Sequence, residues 1–143
     1  MRGIYVLIIT VRYEISLTVG ALGRMEFEAG LYAYVGSAQS NLEQRIRRHL
    51  RKNKQLFWHI DYLLNDNATE ISKVFVKNAA RIEECALADA LKAEGEPVKR
   101  FGSSDCTCRS HLFRVKNSEF LNDNMQIFYE KQYCSNARVD EHV

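Results

Sequence analysis

The distribution of apolar and polar positions predicts a strand-rich first part of the chain. The almost continuous apolar run at residues 3–10 is typical of a central strand that is buried on both faces. Apolar and polar residues alternate over residues 14–19 and again over residues 24–28. This alternation predicts a hairpin whose two strands each have one exposed face. A further strand is expected over residues 30–36, and Gly36-Ser37 is expected to end it.

Helical spacing follows that strand. Leu42, Ile46 and Leu50 recur at intervals of four, which predicts a helix that begins after residue 41 and ends near residue 53. The remaining apolar stretches predict a helix, a strand, a helix and a strand over residues 57–65, 71–76, 81–94 and 108–116 respectively.

This order of elements predicts an α+β fold with a small, largely antiparallel central sheet flanked by helices. We expect a single domain over residues 1–117. The pattern weakens after residue 117, so residues 118–143 are interpreted as an accessory segment, and residues 135–143 are expected to be disordered. Phe57 and Trp58 are interpreted as core residues more readily than as platforms for nucleobases.

Composition places the chain among ordinary globular proteins, with 46% hydrophobic and 27% charged residues and one proline. No apolar run reaches the roughly 20 residues that a membrane-spanning helix needs, and the N-terminus lacks a cleavable signal pattern. These observations exclude a membrane-spanning helix and favour a cytoplasmic location.

The net charge of +2 does not identify a partner, but the distribution of charge is uneven. Residues 44–60 contain no acidic residue, and they include a dense group of cations. The group predicts a surface that faces phosphate groups, and a solvated helix face is the alternative. Its members are Arg45, Arg47, Arg48, Arg51, Lys52 and Lys54.

The cysteines allow a metal site but do not require one. Cys106 and Cys108 have His111 nearby, which suggests a metal clip. The Cys-x-Cys spacing is not the usual one of structural zinc sites, so ordinary buried or turn cysteines are the alternative. A metal-sensing or protein-interaction domain built on these three residues is therefore a further hypothesis for the function.

Two tyrosine motifs and two helices carry a resemblance to a known superfamily. Gly3-Ile4-Tyr5 opens the first strand, and Tyr34-Val35-Gly36 lies in a later one. Arg45 and His49 are one turn apart on the next helix, and Glu84 lies on the helix over residues 81–94. In this order the motifs resemble the GIY-YIG nuclease superfamily, with valine in place of the usual isoleucine.

Further features are similar to a little-characterised archaeal and bacterial branch of that superfamily, which is sometimes fused to a DNA-repair glycosylase. The long segment between the two tyrosine motifs is one such feature. The stretches Trp58-His59-Ile60-Asp61-Tyr62 and Phe101-Gly102-Ser103-Ser104-Asp105-Cys106 are others. The resemblance implies a GIY-YIG-like fold with an extra hairpin inserted between the two tyrosine strands.

The resemblance implies an endonuclease that hydrolyses phosphodiester bonds of structured or damaged DNA. Glu84 would hold one divalent ion, Mg²⁺ or Mn²⁺. Arg45 would stabilise the developing negative charge. Tyr5 or Tyr34 would orient or deprotonate the attacking water, and the second role requires positive charge that lowers the phenol pKa. His49 is a further candidate for phosphate contact or proton transfer.

A second group of residues is expected to contact the nucleic acid, which we expect to be DNA more than RNA. Gly36 would permit close approach of the backbone to a phosphate. The other expected contacts are Arg48, Arg51, Lys52 and His59. A second copy of the chain and DNA-repair proteins are the other expected partners.

One departure from the superfamily pattern bears on catalysis. Many members have an asparagine after the acidic helix, whereas residues 95–99 contain none. Ser103, Ser104 or Asp105 would have to replace it. A catalytically inactive nucleic-acid-binding module on the same fold is therefore the alternative, although the complete set of tyrosines, arginine and glutamate favours an enzyme.

Overall fold

The structure is a computed structural model that describes residues 2–52, 54–102 and 110–128 of the 143-residue chain. Short 3₁₀ turns cover Gly20–Leu22 and Glu119–Leu121. The strands and helices are β1 (Gly3–Val11), β2 (Ile15–Thr18), β3 (Arg24–Phe27), β4 (Gly30–Ala38), α1 (Leu42–Leu50), α2 (His59–Leu64), β5 (Thr69–Lys77), α3 (Ile82–Lys92), β6 (Gly95–Pro97), β7 (Leu112–Val115) and β8 (Gln126–Ile127).

Within the described residues, six strands form one sheet in the order β6-β7-β4-β1-β5-β8. All its neighbouring strands are antiparallel. The predicted α+β fold with a largely antiparallel sheet is therefore confirmed. The central strand β1 places Tyr5 opposite Gly36 of β4 and opposite Val76 of β5.

Strand β1 is buried on both faces, as its continuous apolar run predicts. Alternate side chains enter two different cores because successive residues of a strand point to opposite faces. Tyr5, Leu7 and Ile9 lie in the core that includes apolar residues of α1 and α2. Ile4, Val6 and Ile8 lie in the core that includes apolar residues of α3. Helices therefore cover both faces of the sheet.

Strands β2 and β3 pair with each other in a separate two-stranded sheet that lies between β1 and β4 in the chain. Ile15, Leu17 and Met25 from this hairpin pack against the core on the α1 and α2 side. The hairpin therefore adds apolar cover to that face. Its interpretation as an insertion into a GIY-YIG fold stays a prediction.

Strand β4 extends past the position where the sequence predicts its end. It runs to Ala38, so the expected break at Gly36-Ser37 is wrong. The glycine leaves room for the Tyr5 ring of β1, because a Cβ at Gly36 would lie 2.4 Å from the Cζ atom of that ring. A larger residue would push that ring out of the core.

The outer edge of β4 is open at its C-terminal end. The pairing with β7 ends at Tyr34 and Leu112, and the last hydrogen bond runs from the Val35 N–H to the His111 carbonyl oxygen (2.9 Å). Beyond Val35, no described strand pairs with this edge. Side chains from both faces of the sheet can therefore meet there.

The described part of the C-terminal segment packs onto the same sheet. Strand β8 pairs with β5, and the Phe128 N–H donates to the Val74 carbonyl oxygen (2.7 Å). Leu121 and Met125 belong to the core on the α3 side. Residues 135–143, which the sequence predicts to be disordered, lie outside the described residues, and the domain limit at residue 117 stays a prediction.

The helices in the described part of the chain are all short, and none has the length and apolar character that crossing a membrane requires.

Candidate active site

A cavity of about 820 Å³ lies at the open edge of β4. It brings together six of the ten site residues predicted from the sequence, whereas His49 lies behind Tyr5 and three predicted cations lie outside it. The six are Tyr5, Tyr34, Gly36, Arg45, His59 and Glu84. The cavity therefore joins residues of β1, β4, α1, α2 and α3.

Tyr5 and His49 form a buried hydrogen-bonded pair. The Tyr5 hydroxyl lies 2.7 Å from His49 Nε2, and each residue is 2% exposed. Burial raises the pKa of Tyr5 well above its usual value, Tyr34 and Glu84 add to this, and Arg45 opposes it. The lowered phenol pKa that a base role requires is therefore not found at Tyr5. Its hydroxyl stays protonated and acts as a hydrogen-bonding group.

His49 is neutral in this environment. Burial lowers its pKa from 6.5 to about 3, with Lys54, Arg48 and Arg45 adding to the effect and Asp61 opposing it. Protonating the ring at pH 7 would therefore cost roughly 5 kcal/mol. Its Nδ1 is buried and has no hydrogen-bond partner among the described residues. His49 is thus suited to orienting Tyr5 and poorly suited to accepting a proton.

Arg45 is held at the edge of β4 by two contacts within the protein. Its Nη1 donates to the Ser37 carbonyl oxygen (2.8 Å). Its guanidinium carbon lies 4.9 Å from the centre of the Trp58 ring, a cation–π distance. The guanidinium group of Arg45 is therefore oriented before any ligand binds.

Glu84 reaches the same cavity from α3, on the other face of the sheet. The Ser37 hydroxyl donates to Oε1 (2.8 Å), and His111 Nδ1 lies 3.0 Å from Oε2. Burial raises the pKa of Glu84, but the hydrogen bonds from His111 and Ser37 outweigh burial, so the pKa lies below its usual value. Glu84 is therefore an ionised carboxylate at neutral pH.

A carboxylate in this position can bind a hard divalent cation. Magnesium usually binds proteins through one or two carboxylates and keeps several waters. Ser37 uses one lone pair of Oε1, and His111 Nδ1 lies 3.0 Å from Oε2, so the carboxylate retains lone pairs for an ion. Over residues 2–52, 54–102 and 110–128, no group of three or more His, Cys, Asp or Glu residues is placed to hold a metal. The residues present therefore fit a hydrated ion on a single carboxylate.

His59 contributes a second imidazole to the cavity. Its Nδ1 accepts a hydrogen bond from the Gly102 N–H (3.0 Å), so the proton of the neutral ring is on Nε2. Burial lowers the pKa of His59. The neutral ring can therefore donate from Nε2 to an anionic ligand.

Arg48 forms an ion pair within the protein. It donates from Nη1 and Nη2 to the two carboxylate oxygens of Asp61 (2.9 and 3.0 Å). Its guanidinium carbon lies 4.5 Å from the centre of the Trp58 ring. Asp61 is 0% exposed and also accepts the backbone N–H groups of Phe57 and Trp58. This arrangement fixes the start of α2.

The other two predicted cations differ from each other. Both residues are exposed, but Lys52 donates from Nζ to the carbonyl oxygens of Leu64, Asp66 and Thr69, whereas no described residue forms a hydrogen bond with the Arg51 guanidinium. Together with Arg48 they line a groove of about 660 Å³. We call it the basic groove, and its lining residues are Arg48, Arg51, Lys52, Lys54, Gln55, Leu56 and Phe57.

Sequence reasoning misses several residues of the cavity. His111 is grouped with Cys106 and Cys108 in the sequence, but it contacts Glu84, and both cysteines lie outside the described residues. The proposed replacements for the missing asparagine, residues 103–105, also lie outside them. No local pattern connects His111 or Ser37 with a carboxylate on α3, so only the sheet topology reveals this contact.

The interpretation of Phe57 as a core residue is wrong, because its side chain is 74% exposed. It lies in an extended segment before α2, where its backbone N–H is directed to Asp61 and its ring points out. Trp58 is half-buried between Arg45 and Arg48.

Comparison with protein families identifies a family for this chain. The model of a domain of unknown function, DUF123, matches residues 4–134. This match covers most of the chain, including every residue of the cavity described above. No curated protein and no solved structure matches the chain.

Proposed function

The chain belongs to the family of the domain of unknown function DUF123, and we propose that it hydrolyses phosphodiester bonds of DNA with the help of one divalent cation. The expected substrate is structured or damaged DNA. The resemblance of its tyrosine motifs to GIY-YIG nucleases suggests this chemistry, and the geometry of the cavity supports it.

The convergence of Tyr5, Tyr34, Arg45 and Glu84 on one cavity carries the proposal. These residues come from four elements and from both faces of the sheet. Core packing alone does not require an ionised carboxylate and an oriented guanidinium in the same open cavity. Phosphodiester hydrolysis is favoured by both, because a guanidinium and a metal ion held by a carboxylate stabilise the negative charge that develops as water attacks and the leaving oxygen departs.

Two of the basic side chains that line the cavity, Arg45 and His59, would bind the phosphate. Arg45 has guanidinium N–H groups beyond the one that Ser37 accepts, and these can donate to phosphate oxygens in its rigid planar arrangement. His59 can donate from Nε2 without carrying a charge. Because Trp58 and Ser37 already orient the Arg45 guanidinium, this group needs little rearrangement during the reaction.

The two tyrosines would orient the attacking water. Tyr5 is fixed by neutral His49 and remains protonated, so it serves as a hydrogen-bonding group. Tyr34 lines the cavity beside it and is the better candidate for direct contact with the water. Glu84 would hold the ion, which would supply Lewis-acid polarisation of the phosphate and stabilise the leaving oxygen.

The proposal is tested with labelled branched, flapped, mismatched and plain DNA duplexes, incubated with Mg²⁺ or Mn²⁺ and then with EDTA. Wild type is compared with Glu84→Ala and Tyr5→Phe. The expected result is metal-dependent cleavage that Glu84→Ala abolishes and Tyr5→Phe reduces by about 10-fold or more, because one of the two tyrosine hydroxyls that orient the water is lost. Cleavage that EDTA or Glu84→Ala leaves intact would refute the proposed site.

One observation favours the second candidate, a nucleic-acid-binding module without catalysis. Both oxygens of Glu84 already have partners in Ser37 and His111, and these partners compete with a metal ion. On this alternative, every DNA in the panel is bound and none is cut, and Glu84→Ala leaves affinity unchanged.

A further inference from the structure

Phe57 lies where the cavity and the basic groove meet, since it lines both of them. Its side chain is 74% exposed. A single exposed apolar residue is common on protein surfaces. This one lies between a groove of cations and the proposed reaction centre, which is the position where a bound strand would pass from one to the other.

The position of Phe57 is fixed although its ring is exposed. Its backbone N–H donates to Asp61 Oδ2 (2.9 Å), and Asp61 is buried and bound to Arg48. The Phe57 ring also contacts the Trp58 ring, with 5.4 Å between ring centres. A rigid backbone with an exposed aromatic ring can stack on a ligand at a low cost in conformational entropy.

A second exposed apolar side chain lines the cavity. Ile82, at the start of α3, is 82% exposed. It comes from the face of the sheet opposite to α2, so apolar groups reach the cavity from both sides of the sheet. Two apolar side chains at a proposed phosphate-binding cavity suit a ligand that presents apolar faces beside its phosphates.

The basic groove provides the charge for such a ligand. No described residue forms a hydrogen bond or ion pair with the exposed guanidinium of Arg51, which is therefore available to a phosphate. Lys54 donates to the carbonyl oxygens of His49 and Arg51, and this places its ammonium in the groove. A cationic groove with an aromatic ring on its path is the arrangement that binds single strands without sequence preference.

We propose that the chain acts on nucleic acid with an unpaired strand, which runs along the basic groove and stacks a base on Phe57 before its phosphate enters the cavity. In an intact duplex both faces of a base are covered by neighbouring bases, so the ring would have no partner. The inference rests on the proposed function for the position of cleavage. The binding of an unpaired strand does not depend on catalysis.

Binding is measured in EDTA, where no cleavage is expected, by fluorescence anisotropy. Two DNAs share one sequence, and one carries a single-stranded flap whereas the other is fully paired. Phe57→Ala should weaken binding of the flapped DNA about tenfold, because one stacked base is lost. It should change binding of the paired DNA less than twofold. Phe57→Trp should restore affinity for the flap.

Tyr13→Ala is the matched control, because Tyr13 is an exposed aromatic residue (58%) that lines neither the cavity nor the basic groove. It should leave both affinities unchanged. A 2-aminopurine base in the flap should be quenched by wild type and Phe57→Trp, and not by Phe57→Ala. Equal losses on both DNAs, no loss on the flap, or no binding of the flap by wild type would each overturn the inference. Flap binding without cleavage would refute only the proposed function.

Discussion

At the scale of single residues, burial and hydrogen bonding determine which groups at the cavity carry protons. Burial keeps Tyr5 protonated although Arg45 opposes this, and burial together with the nearby cations keeps His49 neutral. Glu84, in contrast to these two neutral groups, is ionised, because hydrogen bonds from His111 and Ser37 lower its pKa. The cavity thus combines the negative charge of Glu84 with the positive charges of Arg45 and Arg81 and with neutral hydrogen-bonding groups.

The lowered pKa of His49 predicts how stability depends on pH. The unfolded chain binds a proton on this histidine below about pH 6.5, whereas the folded protein does not until about pH 3. The folded state therefore loses stability as pH falls through this range. Between pH 7 and pH 5 the loss from this group should be about 2 kcal/mol.

Urea denaturation of wild type and His49→Gln at pH 7 and pH 5 checks this prediction. Glutamine keeps a hydrogen-bonding partner for Tyr5 but does not titrate. The variant should therefore show a smaller fall in the free energy of unfolding between the two pH values. An equal fall in both proteins would mean that His49 does not remain neutral in the folded state.

The residues of the cavity differ in how far the sequence predicts them. Tyr5, Tyr34, Arg45 and Glu84 are found from the order of short motifs, and the structure places them in one cavity. The contact between His111 and Glu84 has no sequence signal, because it depends on where β7 begins relative to β4. Whether these residues act as assigned stays a prediction.

At the scale of elements, the start of α2 depends on a buried charge. Asp61 accepts hydrogen bonds from Arg48 and from the backbone N–H groups of Phe57 and Trp58. Burial raises the pKa of Asp61, but these hydrogen bonds outweigh it, so the pKa lies below its usual value. One carboxylate therefore orients both the Trp58 ring beneath Arg45 and the exposed Phe57.

Asp61→Asn should lower the free energy of unfolding by about 3 kcal/mol, because it leaves the partly buried Arg48 without its counter-charge. Asp89→Asn is the control, since Asp89 is 78% exposed and should contribute less than about 0.5 kcal/mol. Urea denaturation at pH 7 measures both. A similar small effect of the two substitutions would show that the Arg48–Asp61 pair does not stabilise the start of α2.

Some features of the elements follow from the local sequence pattern, whereas others depend on tertiary contacts that no local pattern predicts. The buried strand β1 follows directly from its continuous apolar run. Strand β4 continues through Gly36 to Ala38 because β1 pairs with it over these positions, and the Tyr5 ring occupies the space beside the glycine; no local rule predicts these contacts. Phe57 has the composition of a core residue, but the hydrogen bonds of Asp61 fix the backbone so that its ring is exposed.

At the scale of the whole molecule, the open edge of β4 explains the location of the cavity. Helices α1 and α2 cover one face of the sheet and α3 covers the other, so Arg45 and Glu84 can meet only at an edge. Pairing between β4 and β7 ends at Tyr34, which leaves this edge open. A second copy of the chain and DNA-repair proteins stay predicted partners.

The most direct test of the central claim is single-turnover cleavage of a flapped DNA with Mg²⁺ by wild type, Glu84→Gln and Glu83→Gln. Glu83 is the matched control, because it precedes Glu84 on α3, does not line the cavity and pairs with Lys77 (3.5 Å). We predict that Glu84→Gln lowers the rate at least 100-fold and that Glu83→Gln changes it less than about twofold. Equal rates for wild type and Glu84→Gln, or equal losses in both variants, would contradict a reaction centre at Glu84.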